Sequence, residues 1–426
     1  MKVSAGIQSK DCADCSTTIP NGPVAQSIGR MVKWLETFGD TSQDMYDFYA
    51  CPYGRWAKRQ YYNGTIAGKA LVAPLVLMEA FSPGLRGLFW PRTRFPLADA
   101  HYAMGYSYLY QATQCADYLA RAQQYLQSLV QTRCPGQVEY CWGYPFDWET
   151  LRGTAHSGLP LITTIPYCYE AFDTVQQIAP ADEYDRILRS IARHVLNDYS
   201  DTKGPSRGYA GSYTPSGTSI STSMVVNASA YRAFMLAKAF KDFGESRYWE
   251  VAEGNLEFVL SSQLDDGSWL YSMDGPDRFT DHFHTCFVMK ALAKIHHLTG
   301  HAGCRQALER GVRYYFNSLL DKNCLPIPFS RKPRLVVYRR ELYDYAECLN
   351  LGLLLKNLFG DFDRVVNSVI GDLLQRWQHP DGFFRTRQLL VGWNNVPMHR
   401  WGLSIVFRSL CLYLRDNSQA ATASTS

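Results

Sequence analysis

Polar turns recur along this chain about every 60 residues, a period that fits a helical hairpin with its connections. They fall at Pro135-Gly136, Gly204-Pro205, Asp266-Gly267, Lys322-Asn323 and Asp381-Gly382. The segments on either side of each turn differ in character. Before a turn, apolar residues follow the i, i+3, i+4, i+7 spacing of a helix with one buried face. Ile187, Leu188, Ile191, Val195 and Leu196 form one such stripe; Phe362, Val365, Val366, Val369, Ile370, Leu373 and Leu374 form another; Leu119, Ala122, Leu126, Leu129 and Val130 repeat the pattern. After each turn, and roughly 10 to 20 irregular residues, comes a segment that is apolar nearly all round, as in residues 224–240, 285–298, 343–359 and 401–414. A helix without a polar face must be enclosed on every side.

Five outer and inner pairs lie between residues 116 and 414, and residues 24–110 carry enough helical pattern for a sixth. Six hairpins close a ring. The pattern predicts an all-α fold, an (α/α)6 toroid in which a barrel of inner helices is ringed by outer ones. An open solenoid of the tetratricopeptide type has a period nearer 34 and two similarly amphipathic helices, which does not match. Residues 24–415 are expected to form one domain, with a disordered leader at 1–23 and a disordered Ser-, Ala- and Thr-rich tail at 416–426.

Composition narrows the function classes. With 43 basic and 39 acidic residues the net charge of +4 is too weak and scattered for a nucleic-acid face. The most apolar run, residues 67–81, contains Lys69 and Glu79 and is shorter than the roughly 18 apolar residues of a membrane span. No secretion signal is legible at the start of the chain, so a cytoplasmic protein is expected. Cys115, Cys168, Cys286, Cys348 and Cys411 sit in apolar helical runs and are expected to act as small core hydrophobes. Cys12 and Cys15 make an isolated CxxC in a polar stretch, with no second pair to complete a metal site.

Two turns carry a further motif: Gln263-Leu-Asp-Asp-Gly-Ser-Trp269 and, in degenerate form, Gln378-His-Pro-Asp-Gly-Phe-Phe384. It resembles the QW-type repeat of the terpenoid cyclase and protein prenyltransferase toroids, where Gln caps a helix end and the aromatic packs on the next hairpin. A longer likeness, over most of the chain, is to the α/α-toroid proteins of bacterial exopolysaccharide biosynthesis clusters. It is carried by Cys141-Trp-Gly-Tyr-Pro-Phe-Asp-Trp148, Asp281-His-Phe-His-Thr-Cys-Phe287 and His399-Arg-Trp-Gly402. The resemblance implies a role in cell-surface polysaccharide synthesis. Asp281 to Cys286 is also similar to the D-x-x-H-T-C of protein farnesyltransferase β-subunits, which would make His284 a zinc ligand. The upstream Asp-x-Cys pair of that family is missing from residues 274–280, and two ligands are too few for zinc, so no metal and no organic cofactor are expected.

A toroid gathers the starts of its inner helices at one mouth, where loops distant in sequence meet. The first loop brings Trp142, Tyr144, Asp147, Trp148, Glu149 and His156. The loop before the helix at 285 brings Asp281, His282 and His284; the next brings Arg340, Glu341, Tyr343 and Asp344; the last brings Trp393, Asn394, Asn395, His399, Arg400 and Trp401. Aromatic faces stack on pyranose rings, while Asn, Arg and Asp take hydroxyls or a uronate carboxylate, so the set suits a glycan or a lipid-linked saccharide. Asp147 or Glu149 with Asp281 could act as the two carboxylates of a glycoside hydrolase. Alternatively His284 or His399 could remove the proton α to a uronate carboxylate, in lyase or epimerase chemistry, with Arg400 holding the carboxylate and Tyr144 or Tyr343 as acid.

Each assignment has a structural counterpart. Asp281 could be the N-cap of its helix, and His399 and Arg400 could cap and pack. The basic run at 331–340 reads as a solvated loop. The leading expectation is a carbohydrate-active enzyme of polysaccharide biosynthesis, with other proteins of that process as further partners. The alternatives are a non-catalytic glycan-binding or scaffolding toroid and an isoprenoid-handling enzyme, the last weakened by the lack of an Asp-x-Asp-Asp motif.

Overall fold

The computed structural model describes residues 22–425, apart from 219, 221–223 and 334–335. Cys12 and Cys15, with nearly all of the expected leader, lie outside the described residues. Fifteen α-helices follow in chain order: α1 (Pro23–Phe38), α2 (Asp47–Ala50), α3 (Pro52–Tyr62), α4 (Ile66–Phe81), α5 (Pro96–Thr113), α6 (Ala116–Gln131), α7 (Ile165–Ile178), α8 (Asp182–Asn197), α9 (Val226–Phe243), α10 (Ser246–Ser261), α11 (His282–Thr299), α12 (Ala302–Ser318), α13 (Leu342–Leu355), α14 (Phe362–Asp372) and α15 (Ser404–Thr425).

The apolar-all-round segments are the inner ring. Helices α5, α7, α9, α11, α13 and α15 each pack on the next, and α15 packs back on α5, which closes an α/α toroid of six hairpins. The striped helices α6, α8, α10, α12 and α14 cover it, and α1 packs on α15 as the sixth outer helix. Outer helix α8 shows why the pattern was readable: Ile187, Ile191 and Val195 are buried, Asp182, Glu183 and Asp185 occupy the dipole-favoured first turn and His194 the last. One hydrophobic cluster runs from Ala25 to Leu414.

The two ends of the ring differ. At one end the inner helices α5, α9 and α11 stop on left-handed residues, Gln114, Gly244 and Gly300, and turn at once into the next outer helix. At the other end long loops lead from outer to inner helices and are stitched by short strands. Strand β1 (Trp148–Thr150) pairs with β2 (Gly153–Ala155), and β3 (Asp201–Lys203) with β4 (Tyr209–Gly211). Strand β5 (Thr280–Asp281), before α11, pairs with β6 (Phe329–Arg331) from the neighbouring loop. Strand β7 (Tyr338–Glu341), before α13, pairs with β8 (Arg387–Leu389), which pairs with β9 (Trp393–Asn394).

The Gln-containing turns act as clasps. The Gln263 amide donates to the carbonyls of Gly267 and of Ala307 on α12, both at 2.9 Å. The Gln378 amide makes the same pair of bonds, to Gly382 (2.9 Å) and to Ser27 on α1 (3.0 Å), and its oxygen accepts from Arg30. Gly382 has φ +113°, and a Cβ there would lie 2.4 Å from the Arg30 carbonyl, so this seam between the last hairpin and the first requires glycine.

Three expectations are corrected. The sixth hairpin is α1 with α5, but between them stands an insertion of α2, α3, α4 and a 3-10 turn at Pro83–Leu88, with its own small core of Phe48, Ala57 and Leu75. The tail does not become irregular after 415: α15 runs on to Thr425, helped by good helix formers such as Ala420 and by Ser418 bonding back to the Leu414 carbonyl. Nine of the described cysteines, Cys168, Cys286, Cys348 and Cys411 among them, are buried free thiols, whereas Cys115 is half-buried at the start of α6 and is not among them.

Candidate functional site

At the long-loop end, half-buried aromatic rings line the mouth. Tyr144 packs edge-on to Trp148 (5.8 Å between ring centres), Trp148 meets Tyr213 (6.1 Å) and Tyr46 (6.0 Å), and Tyr46 meets Trp401 (6.2 Å). Trp401 stacks on Tyr343 (4.6 Å) and touches Phe283 (6.0 Å), which touches His284 (4.3 Å); His284 in turn packs against Tyr271 (4.6 Å). Burial pushes the hydroxyls of Tyr46, Tyr144, Tyr213, Tyr271 and Tyr343 to higher pKa, so the annulus presents neutral phenols.

Within it lies a carboxylate–imidazole pair. Asp281 is the N-cap of α11, one oxygen accepting from the His284 backbone N–H at 3.0 Å, while its second oxygen is 2.7 Å from His284 Nδ1. With Nδ1–H donating to Asp281, a neutral ring carries its lone pair on Nε2. That atom has no hydrogen-bond partner among the described residues, and the side chain is 21% exposed while Asp281 is 2% exposed. A cavity of about 10 Å³, the size of a water, adjoins the pair and is lined by Asn227, Tyr271, Thr280 and Thr285; the Asn227 side-chain amide oxygen is buried without a partner among the described residues. Asp344, also near Asp281, is buried with both oxygens unpartnered among the described residues; burial, then the negative charges of Glu341 and Asp281, raise its pKa.

Other residues picked out by the sequence take partners inside the protein. His399 is buried, its Nε2–H donating to the Gly39 carbonyl (3.0 Å) and its Nδ1 accepting from Tyr102 (2.7 Å); burial lowers its pKa to about 4. His282 bonds the Leu319 carbonyl and the Tyr315 hydroxyl, and burial lowers it to about 3. Both are therefore corrected from cleft residues to neutral core histidines. Arg400 makes a bidentate ion pair with Asp44 of the insertion (2.6 and 2.9 Å) and reaches Tyr144 at 3.3 Å, so its guanidinium is spent holding the insertion rather than open to a substrate carboxylate. Trp142 is fully buried with its indole N–H on the Leu129 carbonyl. Trp393 packs on Trp377 away from the annulus, and buried Asn394 caps its own turn by accepting from Val396 N–H. Asp147 is held by Arg55 and the Ser157 N–H, Glu149 by Arg59 (2.8 Å) and Thr154 (2.9 Å). Arg340 pairs with Asp321, Glu341 with Arg387, and His156 is exposed near Asp147. Trp142, Asp281 and His399, expected as neighbours, share no hydrogen-bond partner among the described residues.

Sequence reasoning missed a charged layer below the annulus. Lys290 pairs with Glu347 and donates to Tyr167 (3.2 Å), which bonds Tyr231 (2.7 Å); Lys294 pairs with Glu170; and Arg408 meets His101 (3.3 Å). Burial lowers Lys294 to about 8 against the pull of Glu170. The signal was present: Phe283, Phe287, Lys290 and Lys294 fall at i, i+4, i+7, i+11 of a helix otherwise suited to a core. Among the described residues, no group of three or more His, Cys, Asp or Glu is arranged to hold a metal ion, and no helix is long and apolar enough to cross a membrane.

No protein-family model matches the chain, and no curated protein sequence matches it. Solved structures share its fold at low identity. A cellobiose 2-epimerase from Bacillus thermoamylovorans is 9% identical, with a TM-score of 0.59 over 76% of this chain and 88% of that one. A GH76 α-mannanase from Bacteroides thetaiotaomicron is 9% identical, with a TM-score of 0.58 over 88% and 99%. A polysaccharide lyase is 12% identical, with a TM-score of 0.54 over 82% and 98%.

Proposed function

We propose that the protein is a carbohydrate-active enzyme that holds a saccharide across the aromatic annulus and uses the Asp281–His284 pair for proton transfer. The observation that carries this is the free Nε2 of His284, oriented by Asp281 and set among ring faces. The structural neighbours, an epimerase, a hydrolase and a lyase, support a sugar as the substrate class. The geometry favours removal of a C–H proton, as in a lyase or epimerase, over hydrolysis by two carboxylates, because Asp147 and Glu149 are engaged by Arg55 and Arg59. The motif resemblance supports a place in cell-surface polysaccharide synthesis in the cytoplasm, acting on a glycan or lipid-linked saccharide.

The test is incubation with uronate-containing and neutral oligosaccharides in D2O, with products read by mass spectrometry and NMR. Deuterium at a sugar carbon, or a new double bond, lost in His284→Asn, is the expected result. New reducing ends without carbon-bound deuterium would replace this reading with hydrolysis. A second reading, a non-catalytic glycan-binding toroid, is favoured by the small cavity beside the pair and by the engagement of Asp147, Glu149 and Arg400. It predicts saccharide binding by calorimetry with no product, unchanged in His284→Asn.

A further inference from the structure

The insertion between α1 and α5 breaks the rule that the rest of the molecule obeys. Among the described residues, seven of the thirteen large apolar side chains that are exposed lie between Tyr53 and Leu88. On α4, Ile66, Ala70, Ala73, Leu77 and Phe81 are all exposed, and their spacing of i, i+4, i+7, i+11 and i+15 puts them on one face. Ile66 is 86% exposed, Phe81 68% and Leu77 56%, and Leu88 of the following turn is 81% exposed. The opposite face carries the buried Gly68, Leu75 and Glu79, so the helix is already docked on its inner side by α3 and the small core. Tyr53 and Trp56, each nearly half exposed, stand beside it, the Tyr53 hydroxyl bonding the Leu71 carbonyl of α4 at 2.9 Å.

The charge around this face has one sign. Glu79 is the single acid between Phe48 and Ala98, and it is buried against Arg387 and Arg86. The exposed or half-exposed charges of the segment are all basic; Arg55 and Arg59 pair with Asp147 and Glu149, Arg92 donates to the Phe38 and Thr41 carbonyls and Lys58 lies over Tyr46 and Tyr49, while Lys69 is exposed on α4 itself. At 16 residues α4 is too short to span a bilayer. An apolar face, a cationic margin and Trp and Tyr at its edge are the features of a helix that lies in the plane of a membrane surface. The insertion is fixed to the mouth loops of the ring by Arg55–Asp147, Arg59–Glu149, Glu79–Arg387 and Asp44–Arg400, with Glu79 on the buried face of α4.

We infer that the α3–α4 insertion is a docking surface for an anionic lipid bilayer, into whose interface Leu77, Phe81 and Leu88 enter while the basic residues meet the head groups. The docking goes beyond the sugar chemistry proposed above and stands independently of it. The test is flotation of the full chain with vesicles of phosphatidylcholine and phosphatidylglycerol (3:1) and of phosphatidylcholine alone. The expected result is flotation with the anionic vesicles, several-fold weaker in 0.5 M NaCl, little with neutral ones, and at least a tenfold loss for Leu77→Asp/Phe81→Asp. Those positions are exposed, and an unchanged circular dichroism melt shows that the double variant folds. Lys69→Glu should lose part of the binding to anionic vesicles. Failure of the wild type to float with anionic vesicles overturns the inference, as does equal flotation of the double variant. A dimer in light scattering that the double variant abolishes, with no flotation, would instead assign the face to a second copy of the chain.

Discussion

The mouth of the ring has two unlike sides, at the start of α11 and on the approach to α15. Each presents a histidine a few residues from the beginning of an inner helix, beside a charged neighbour. On the α11 side, Asp281 caps the helix and orients His284, and one ring nitrogen has no partner among the described residues. On the α15 side, both nitrogens of His399 are bonded, to Gly39 and Tyr102, and the Ser42 hydroxyl accepts from its backbone N–H. The difference is made by the insertion: residues 39–44 cross the α15 side and seal it with the Asp44–Arg400 pair. What distinguishes the uncovered histidine from the covered one here is whether a distant segment crosses it, not the local sequence.

The comparison is most sharply broken by Asp44→Ala. Arg400 is 2% exposed and would be left as an unpaired buried charge, a loss of about 3 to 5 kcal/mol that denaturant unfolding would measure. If stability is unchanged, the α15 side is not held by this pair. Acid should also weaken the sealed side. The folded pKa of His399, about 4, lies below its ordinary 6.5, so its contribution is present above pH 6.5 and is lost as pH falls toward 4, amounting to about 3 kcal/mol at 1.36 kcal/mol per unit. Unfolding free energy followed over pH 7 to 4 should fall in wild type and fall less steeply in His399→Gln. On the open side, the proposed proton-transfer role predicts that His284→Asn lowers turnover about a hundredfold or more with an unchanged melting temperature, the side chain being 21% exposed. A melting shift of many degrees would make it structural instead. The smallest measurable loss of stability is expected of Asp281→Ala, which gives up a helix cap for about 1 kcal/mol where His284→Asn costs none, measured by the same denaturant titration.

The ring was legible because inner and outer helices differ in how far round their apolar residues extend, a property of short windows. Asp281, His284, Trp148, Tyr343 and Trp401 were findable for a related reason: each stands at a helix start or in an aromatic run next to one. The insertion was not legible, because residues 67–81 carry the apolar content of a core helix without being in the core. Nor was the fate of Arg400 and His399, whose partners Asp44 and Gly39 lie 356 and 360 residues away in sequence. The lumen charges Lys290, Lys294 and Glu347 were masked by the apolar helices that carry them, although a charge repeated at i+4 in such a helix requires a facing partner.

The clasp at Gln378 has a consequence for how the protein is made. Helix α1 leaves the ribosome before the other helices of the ring, yet the surfaces that cover its apolar stripe, α15 and the Gln378 turn, follow after the other hairpins. Closing a loop of that length carries a high entropic cost, and no earlier hairpin offers a substitute. Ile28, Met31 and Leu35 therefore wait uncovered while the rest of the chain is translated. A circular permutant that starts at α15 and joins the old ends would bring the two halves of the seam out together, and should refold faster than the natural order.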